Sequence, residues 1–449
     1  MRAAHEVVCY GSVTILSRVE RAELAALADS AVSVLRRNDT GHFVKPAPAV
    51  YPFQWNWDSA LVAIGLARVD VARGRQEVRA LLQGQWADGM VPHIVFPPWS
   101  VEYSPGPELW GSAACPGAPQ MATSGLTQPP VLATAARALH EAAPDPAFLE
   151  EVVPAAEAWH SWLQRERSFD ESGLVAILHP WESADNAPRF DRALARVEPD
   201  HTPAPARSDR RHLAAAERPT DRDYASYLAI VESLRRCDYR PQSLAETPFA
   251  YVDLTFNSVL AAAEADLAWL WNELGERGAR ATAAACRLRQ ALAERWDEDA
   301  VAYRELDLHL GEQEVAGTVG ELLPVYAGVP DERQARRLFY EALWMPTRYG
   351  PSRKAPWAVT TVSKSSPDFD AHRYWRGPVW ININWFLVRG LERLGLDAEA
   401  ELLRAMTLQL VTASGFSEYY HPSTAAPLGS REFSWSAALT LDLIDDLQP

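Results

Sequence analysis

The chain is 449 residues long and 48% hydrophobic, so it can bury one large core or two ordinary ones; its freedom from low-complexity tracts excludes a disordered protein. A formal net charge of -16 and an isoelectric point near 5.2, with no basic patch, argue against nucleic acid or an anionic membrane as partner. The composition points to a neutral or small ligand.

Helical periodicity dominates the chain. Ser17-x-x-Glu20 has capping-box spacing and precedes Leu24, Leu27, Ala31, Val34 and Leu35 at helical intervals, which predicts a first helix at about 20–37. Comparable segments follow at about 58–68, 71–85, 129–143, 147–166, 222–236 and 253–274, then at about 278–297, 316–326, 331–344, 378–394, 397–413 and 433–447. Pro129-Pro130 and Asp145-Pro146 open two of these helices at positions where a missing N–H is harmless. Longer loops rich in Trp, Pro, Gly and acids separate the helix pairs, at about 39–57, 86–127, 175–221, 345–377 and 414–432. Loops of that length in a compact domain usually carry function. With no strand-rich half and no linker, the pattern predicts an all-α, single-domain α/α toroid with its active-site loops on one face. Residues 1–37 are expected to pack as a helical segment on a barrel formed by 38–449.

Cys9, Cys115, Cys237 and Cys286 form no CxxC pair and follow no secretory signal, so they are read as free thiols of a reducing compartment. The apolar part of Met1 to Leu16 is broken by Glu6 and Gly11, and no stretch reaches the roughly 18 apolar residues a membrane span requires. A cytoplasmic location is expected. A homo-oligomer is compatible with this composition.

Two acidic clusters set among aromatic residues carry the chemical signal: His179-Pro-Trp-Glu-Ser-Ala-Asp-Asn186 and Gly415-Phe-Ser-Glu-Tyr-Tyr-His421. Carboxylates beside Trp and Tyr suit a site where a sugar ring stacks on an apolar wall while one acid donates a proton and another activates water. Histidines give no metal signal, since no His-Glu-x-x-His or His-x-His occurs. His93, His179, His372 and His421 lie in the motif loops and read as hydrogen-bonding supports. Neither a Gly-x-Ser-x-Gly elbow nor a phosphate-cradling or dinucleotide-binding glycine loop is found. Hydrolysis by carboxylates is what remains.

Tyr51-Pro-Phe-Gln-Trp-Asn-Trp-Asp-Ser59, Gln85-Trp-Ala-Asp-Gly-Met-Val-Pro-His-Ile94, Thr127-Gln-Pro-Pro130, the first acidic cluster, Arg373-Tyr-Trp-Arg-Gly-Pro-Val-Trp380, Glu418-Tyr-Tyr and Phe433-Ser-Trp435 follow one another in the order seen in clan G glycoside hydrolases. From about Asn38 onward the chain resembles glycoside hydrolase family 63. Within that family it is most similar to the compact bacterial mannosylglycerate and glucosylglycerate hydrolases, through its lean length and Arg218-Pro-Thr-Asp-Arg-Asp-Tyr224. The resemblance implies an (α/α)6 barrel and an inverting α-glycosidase working on a small glycoside without metal or organic cofactor. It implies that Asp185 is the general acid and Glu418 the general base. An inverting pair stands roughly 6.5–9.5 Å apart, which leaves room for the attacking water.

The residues are compatible with those roles. Beside Trp181 and Pro180, Asp185 is expected to have its neutral form favoured by desolvation, whereas Tyr419, Tyr420 and His421 look like a polar setting that keeps Glu418 ionised. The family's Glu-Ser-Gly-x-Asp-Asn is one residue shorter here, Glu182-Ser-Ala-Asp-Asn186, and lacks its glycine, which leaves Glu182 as an alternative acid. Tyr51, Trp55, Trp57 and Asp58 resemble the family's sugar-holding cluster, with indole faces for the ring and a carboxylate for its hydroxyls; read alone, Trp55 and Trp57 are equally core anchors and Asp58 a helix cap. Gln128 is placed to read another hydroxyl, with Trp181, Trp375 and Trp380 as facing walls. Arg218 and Tyr224 match positions that grip the aglycone carboxylate in glycerate-specific relatives, a task suited to a guanidinium fork, with Tyr374 and Arg376 in support. The leading substrate is therefore an α-glucoside or α-mannoside of a hydroxy acid, glucosylglycerate first. Trimming of neutral oligosaccharides and sugar binding without catalysis are the alternatives.

Overall fold

The computed structural model describes residues 21–99, 101, 103–199, 207–312, 315–357 and 359–445. The expected capping box at Ser17 to Glu20, Cys9 and the end of the last helix lie outside these residues. In chain order the helices are α1 (Arg21–Asn38), α2 (Asn56–Leu66), α3 (Val71–Leu82), α4 (Pro107–Trp110), α5 (Leu132–Ala142), α6 (Pro146–Arg167) and α7 (Asp191–Leu194). They continue as α8 (Asp221–Arg235), α9 (Leu254–Glu273), α10 (Ala279–Ala293), α11 (Glu332–Arg337), α12 (Ile381–Arg393), α13 (Asp397–Ser414) and α14 (Ser434–Asp445).

Which helices lie inside follows from their sequences. α2 is buried at every position, α14 at every position but its last, Asp445, and α9 and α12 over most of their length, so none of them presents a broad polar face to water. α10 by contrast buries only a stripe, Ala281, Ala284, Ala285, Leu288, Ala291 and Leu292, as an outer helix should. The inner members touch one another in a closed ring: α2, α5, α9, the 3-10 segment Val319–Val325, α12, α14 and back to α2. α3, α6, α10 and α13 each follow an inner helix in the chain and pack on it, while α1 packs on α14. This is the (α/α)6 barrel. Its closure depends on small residues: a Cβ on Gly65 of α2 would stand 2.3 Å from the Ala438 carbonyl oxygen of α14, and one on Gly390 of α12 only 2.7 Å from Val325.

The expected helix at 316–326 is instead 3-10 from Val319 to Val325, because Pro324 inside it cannot donate the bond an α-turn needs. The expected helix at 331–344 changes from α to π at Leu338–Leu343. The loops also hold short antiparallel strands that periodicity did not reveal. Gln54–Trp55 pairs with Ile94–Val95, with Trp55 opposite Ile94, and Ser417–Tyr420 pairs with Pro427–Arg431, with Tyr419 opposite Leu428. All four residues of Ser417–Tyr420 are buried, so no inside–outside alternation marks that strand in the sequence. Cys115, Cys237 and Cys286 are free thiols. Among the described residues no helix is long and apolar enough to cross a membrane.

Candidate active site

The long loops meet over one cavity of about 850 Å³, counting its open mouth. Tyr51, Trp55, Trp57, Asp58, Gln128, Trp181, Asp185, Arg218, Tyr224, Tyr374, Trp375 and Glu418 all line it, from six separate stretches of the chain. The strand pair at Gln54–Trp55 leads straight into α2, which delivers Trp55, Trp57 and Asp58 to one wall. Gln128 is turned toward them by accepting the Trp57 backbone N–H at 3.3 Å.

The loop that carries Asp185 is built on Trp181. Its ring is enclosed by His179 at 4.6 Å, Tyr224 and Tyr227 at 5.6 Å each and Trp110 at 5.8 Å between centroids. His179 fixes the turn beneath it, with Nδ1 accepting the Trp181 N–H at 2.9 Å and Nε2 2.9 Å from the Tyr227 carbonyl. Although the stretch is one residue short, Asp185 still reaches the cavity, and its own carbonyl accepts the Tyr227 hydroxyl at 2.8 Å. Burial pushes the Asp185 carboxyl up to about 7, against the opposing pull of Arg218. A carboxylic acid that keeps its proton to neutral pH is fitted to donate it.

Glu418 reaches the same cavity from another element, the strand Ser417–Tyr420. Its Oε1 accepts the Tyr51 hydroxyl at 2.7 Å and lies 3.3 Å from Arg218 Nη1, while Oε2 accepts the Ser430 N–H at 2.9 Å. The polar surroundings read from its neighbours are not what it meets, because the hydroxyls of Tyr419 and Tyr420 turn away to the carbonyls of Glu217 and Gly415. Burial raises its carboxyl above the ordinary range; Arg218, the Ser430 amide and Tyr51 counter that rise and favour the ionised form. Asp58, which lines the same cavity, is pushed well up by burial and by Glu418.

Arg218 is buried at the centre of this array. Its Nε donates to Asp209 Oδ2 at 3.1 Å, and its guanidinium lies 4.0 Å from the centre of the Tyr374 ring. Tyr374 holds a backbone φ of 37°, a strained conformation for a bulky residue that the surrounding rings must enforce. Burial alone would raise the Asp209 carboxyl, yet Arg207 and Arg218 hold it below the ordinary range.

Three expected contacts lie outside the cavity lining. Glu182 is fully buried, with both oxygens bonded to Arg167 at 2.9 and 3.0 Å and to the N–H groups of Thr127 and Leu178 at 3.1 and 2.7 Å. Those four donors occupy it as a structural anchor, which removes it as an alternative acid. Arg376 pairs with Asp191 at 2.7 and 2.9 Å and steadies the loop after Asp185 through the Asn186 carbonyl. Trp380 stacks at 3.7 Å behind Trp375 and supports the wall that Trp375 presents. The cavity also includes residues the motifs did not single out for the site: His93, Tyr103, Trp110, Asp209 and Trp435. His93 and Trp435 lie within quoted motifs, whereas Asp209 sits in the Arg-rich run Arg207-Ser-Asp-Arg-Arg211 and looks like a solvated charge. Among the described residues no group of three or more His, Cys, Asp or Glu is arranged to hold a metal.

The mannosylglycerate hydrolase MGH1-like glycoside hydrolase domain matches residues 51–436. The chain belongs to this family. It is 42% identical to a mannosylglycerate hydrolase of Thermus thermophilus over 92% of this chain and 99% of that protein. Mannosylglycerate hydrolase MGH1 of Selaginella moellendorffii is 40% identical over 91% of this chain and 83% of its own length. A glucosylglycerate hydrolase of Mycolicibacterium hassiacum is 35% identical over 93% and 97%. The crystal structure of a family 63 mannosylglycerate hydrolase of Thermus thermophilus with Tris and D-glycerate superposes with a TM-score of 0.86, at 41% identity, covering 92% of this chain and 99% of that one. Membership makes this chain a glycoside hydrolase, and the shared (α/α)6 barrel agrees with the ring traced above.

Proposed function

We propose that the chain hydrolyses an α-mannoside or α-glucoside of glycerate with inversion, Asp185 acting as general acid and Glu418 as general base. The observation that carries this reading is the meeting of two buried carboxyl groups, Asp185 and Glu418, in one aromatic cavity beside a buried arginine. Asp185 protonates the glycosidic oxygen as the bond to the anomeric carbon lengthens. Glu418, kept accepting by Arg218 and the Ser430 amide, takes a proton from the water that attacks the opposite face. Trp57 and Trp375, whose ring centres are 6.2 Å apart, together form an apolar wall for the sugar ring, and Asp58 and Gln128 read its hydroxyls.

Arg218 has Nε and Nη1 engaged, which leaves Nη2 for the carboxylate of the glycerate, with Tyr224 beside it. Relatives named for mannosylglycerate are 42% and 40% identical and the one named for glucosylglycerate 35%, which lends the mannoside more support than the glucoside favoured from the sequence. Incubation with mannosylglycerate, glucosylglycerate and neutral α-glucobioses, with free sugar as readout, tests the assignment. Release from at least one glycerate glycoside and little from the glucobioses is expected; turnover of the neutral sugars alone would refute it.

A further inference from the structure

Asp253 lies behind the cavity wall and is wholly buried at the N-terminus of α9. A helix cap there needs one acceptor for the Phe256 N–H, which Asp253 Oδ1 provides at 2.7 Å. The side chain does more than that. The same oxygen accepts the Ser183 hydroxyl at 2.9 Å, and Oδ2 is gripped by Arg189 through Nε at 3.0 Å and Nη2 at 2.7 Å. Burying this ion pair is costly in desolvation and is weak evidence for stability by itself, and Arg189 has a second buried carboxylate, Glu305, at 3.4 Å.

Ser183 stands two residues before Asp185, with a backbone φ of -150° and ψ of -141° that ends the 3-10 turn Pro180–Glu182. On the far side the Asp185 carbonyl is held by the Tyr227 hydroxyl at 2.8 Å. The short backbone that carries the acid is thus tied at both ends, once to α8 through Tyr227 and once to the start of inner helix α9. Because the acid must meet the glycosidic oxygen within hydrogen-bond reach, a displacement of about 1 Å is enough to cost on the order of 100-fold in rate.

We propose that Asp253, clamped by Arg189, is a positioning residue for the acid: it holds Ser183 and so sets where the Asp185 carboxyl stands. The proposal rests on the acid role of Asp185. It predicts a defect in proton donation and not in sugar binding or in attack by water.

The test compares Ser183→Ala and Asp253→Asn with the wild type and with Asp185→Ala, on the glycerate glycoside and on the α-glycosyl fluoride of the same sugar. Fluoride leaves with little help from an acid, so a lost or misplaced acid spares it. Ser183→Ala and Asp253→Asn are expected to lower kcat on the glycerate glycoside about 10–100-fold with KM nearly unchanged, and to lower turnover of the fluoride by about threefold or less. Equal losses on both substrates, or an unchanged kcat in Ser183→Ala, would overturn the proposal. Ser183→Ala leaves the Arg189 clamp and the helix cap in place, so it decides the matter even where Asp253→Asn fails to fold. Asp185→Ala separates the two claims. If it spares the fluoride, the acid role holds and the Ser183→Ala result bears on Asp253 alone; if it depresses both substrates equally, the acid assignment falls and this proposal falls with it.

Discussion

The burial that would equip Asp185 for the proposed acid role carries a cost that a single substitution exposes. An ordinary aspartate at 3.8 keeps about 0.06% of its protons at pH 7, whereas a carboxyl held at about 7 keeps half, a gain of about 800-fold in the reactive form. The linkage runs in one direction: a carboxyl whose folded value is raised lends stability below its unfolded value, and that contribution is lost as pH rises through about 7. Between pH 5 and pH 8 the loss comes to about 3 kcal/mol, from two pH units below 7 at 1.36 kcal/mol each. Asp185→Asn keeps the neutral shape and titrates nowhere in that range. Its stability relative to the wild type therefore improves by about 3 kcal/mol from pH 5 to pH 8, which corresponds to several degrees of melting temperature, while kcat falls about 100–10,000-fold. Thermal melts of both proteins at the two pH values, alongside kcat, check it. A melting difference that stays constant with pH would refute the claim that Asp185 is a buried acid with a raised pKa.

Arg218→Ala should raise KM for glycerate glycosides at least tenfold, leave the KM of neutral substrates far less changed, and move the acidic limb of the pH profile upward, because Glu418 loses the charge that opposes its burial; a pH profile identical to the wild type would contradict the contact. Glu182→Gln should destabilise the fold by about 3–5 kcal/mol, since it leaves Arg167 buried without its anion, yet the pH value of the alkaline limb of kcat/KM should stay where it is. A shift of that limb would return Glu182 to the chemistry.

The parts of this account that were legible in the sequence are those written locally. Asp145-Pro146 announces the start of α6, and the aromatic setting of Asp185 and Glu418 singles out two acids that the fold brings to one cavity. What was illegible depends on groups brought from far along the chain. Asp209 reaches the cavity only because Arg207 and Arg218 hold it and Ser208 ties its loop to Ser104. Glu182 and Asp185 look alike as letters three apart; four donors claim the first, and burial without such donors sets the second. The environment of Glu418 was misread because flanking tyrosines suggest polarity, whereas on this strand their hydroxyls point into other contacts. Pro324 is the one visible letter that marks the inner segment Val319–Val325 as 3-10, and it stands within an otherwise helical pattern.

The central claim is that Asp185 and Glu418 act from opposite faces of one sugar, with a water between the base and the anomeric carbon. Proton NMR of the sugar at its first appearance from an α-linked glycerate glycoside, recorded before mutarotation, tests this most directly. The account predicts that the β-anomer appears first; initial release of the α-anomer would contradict it.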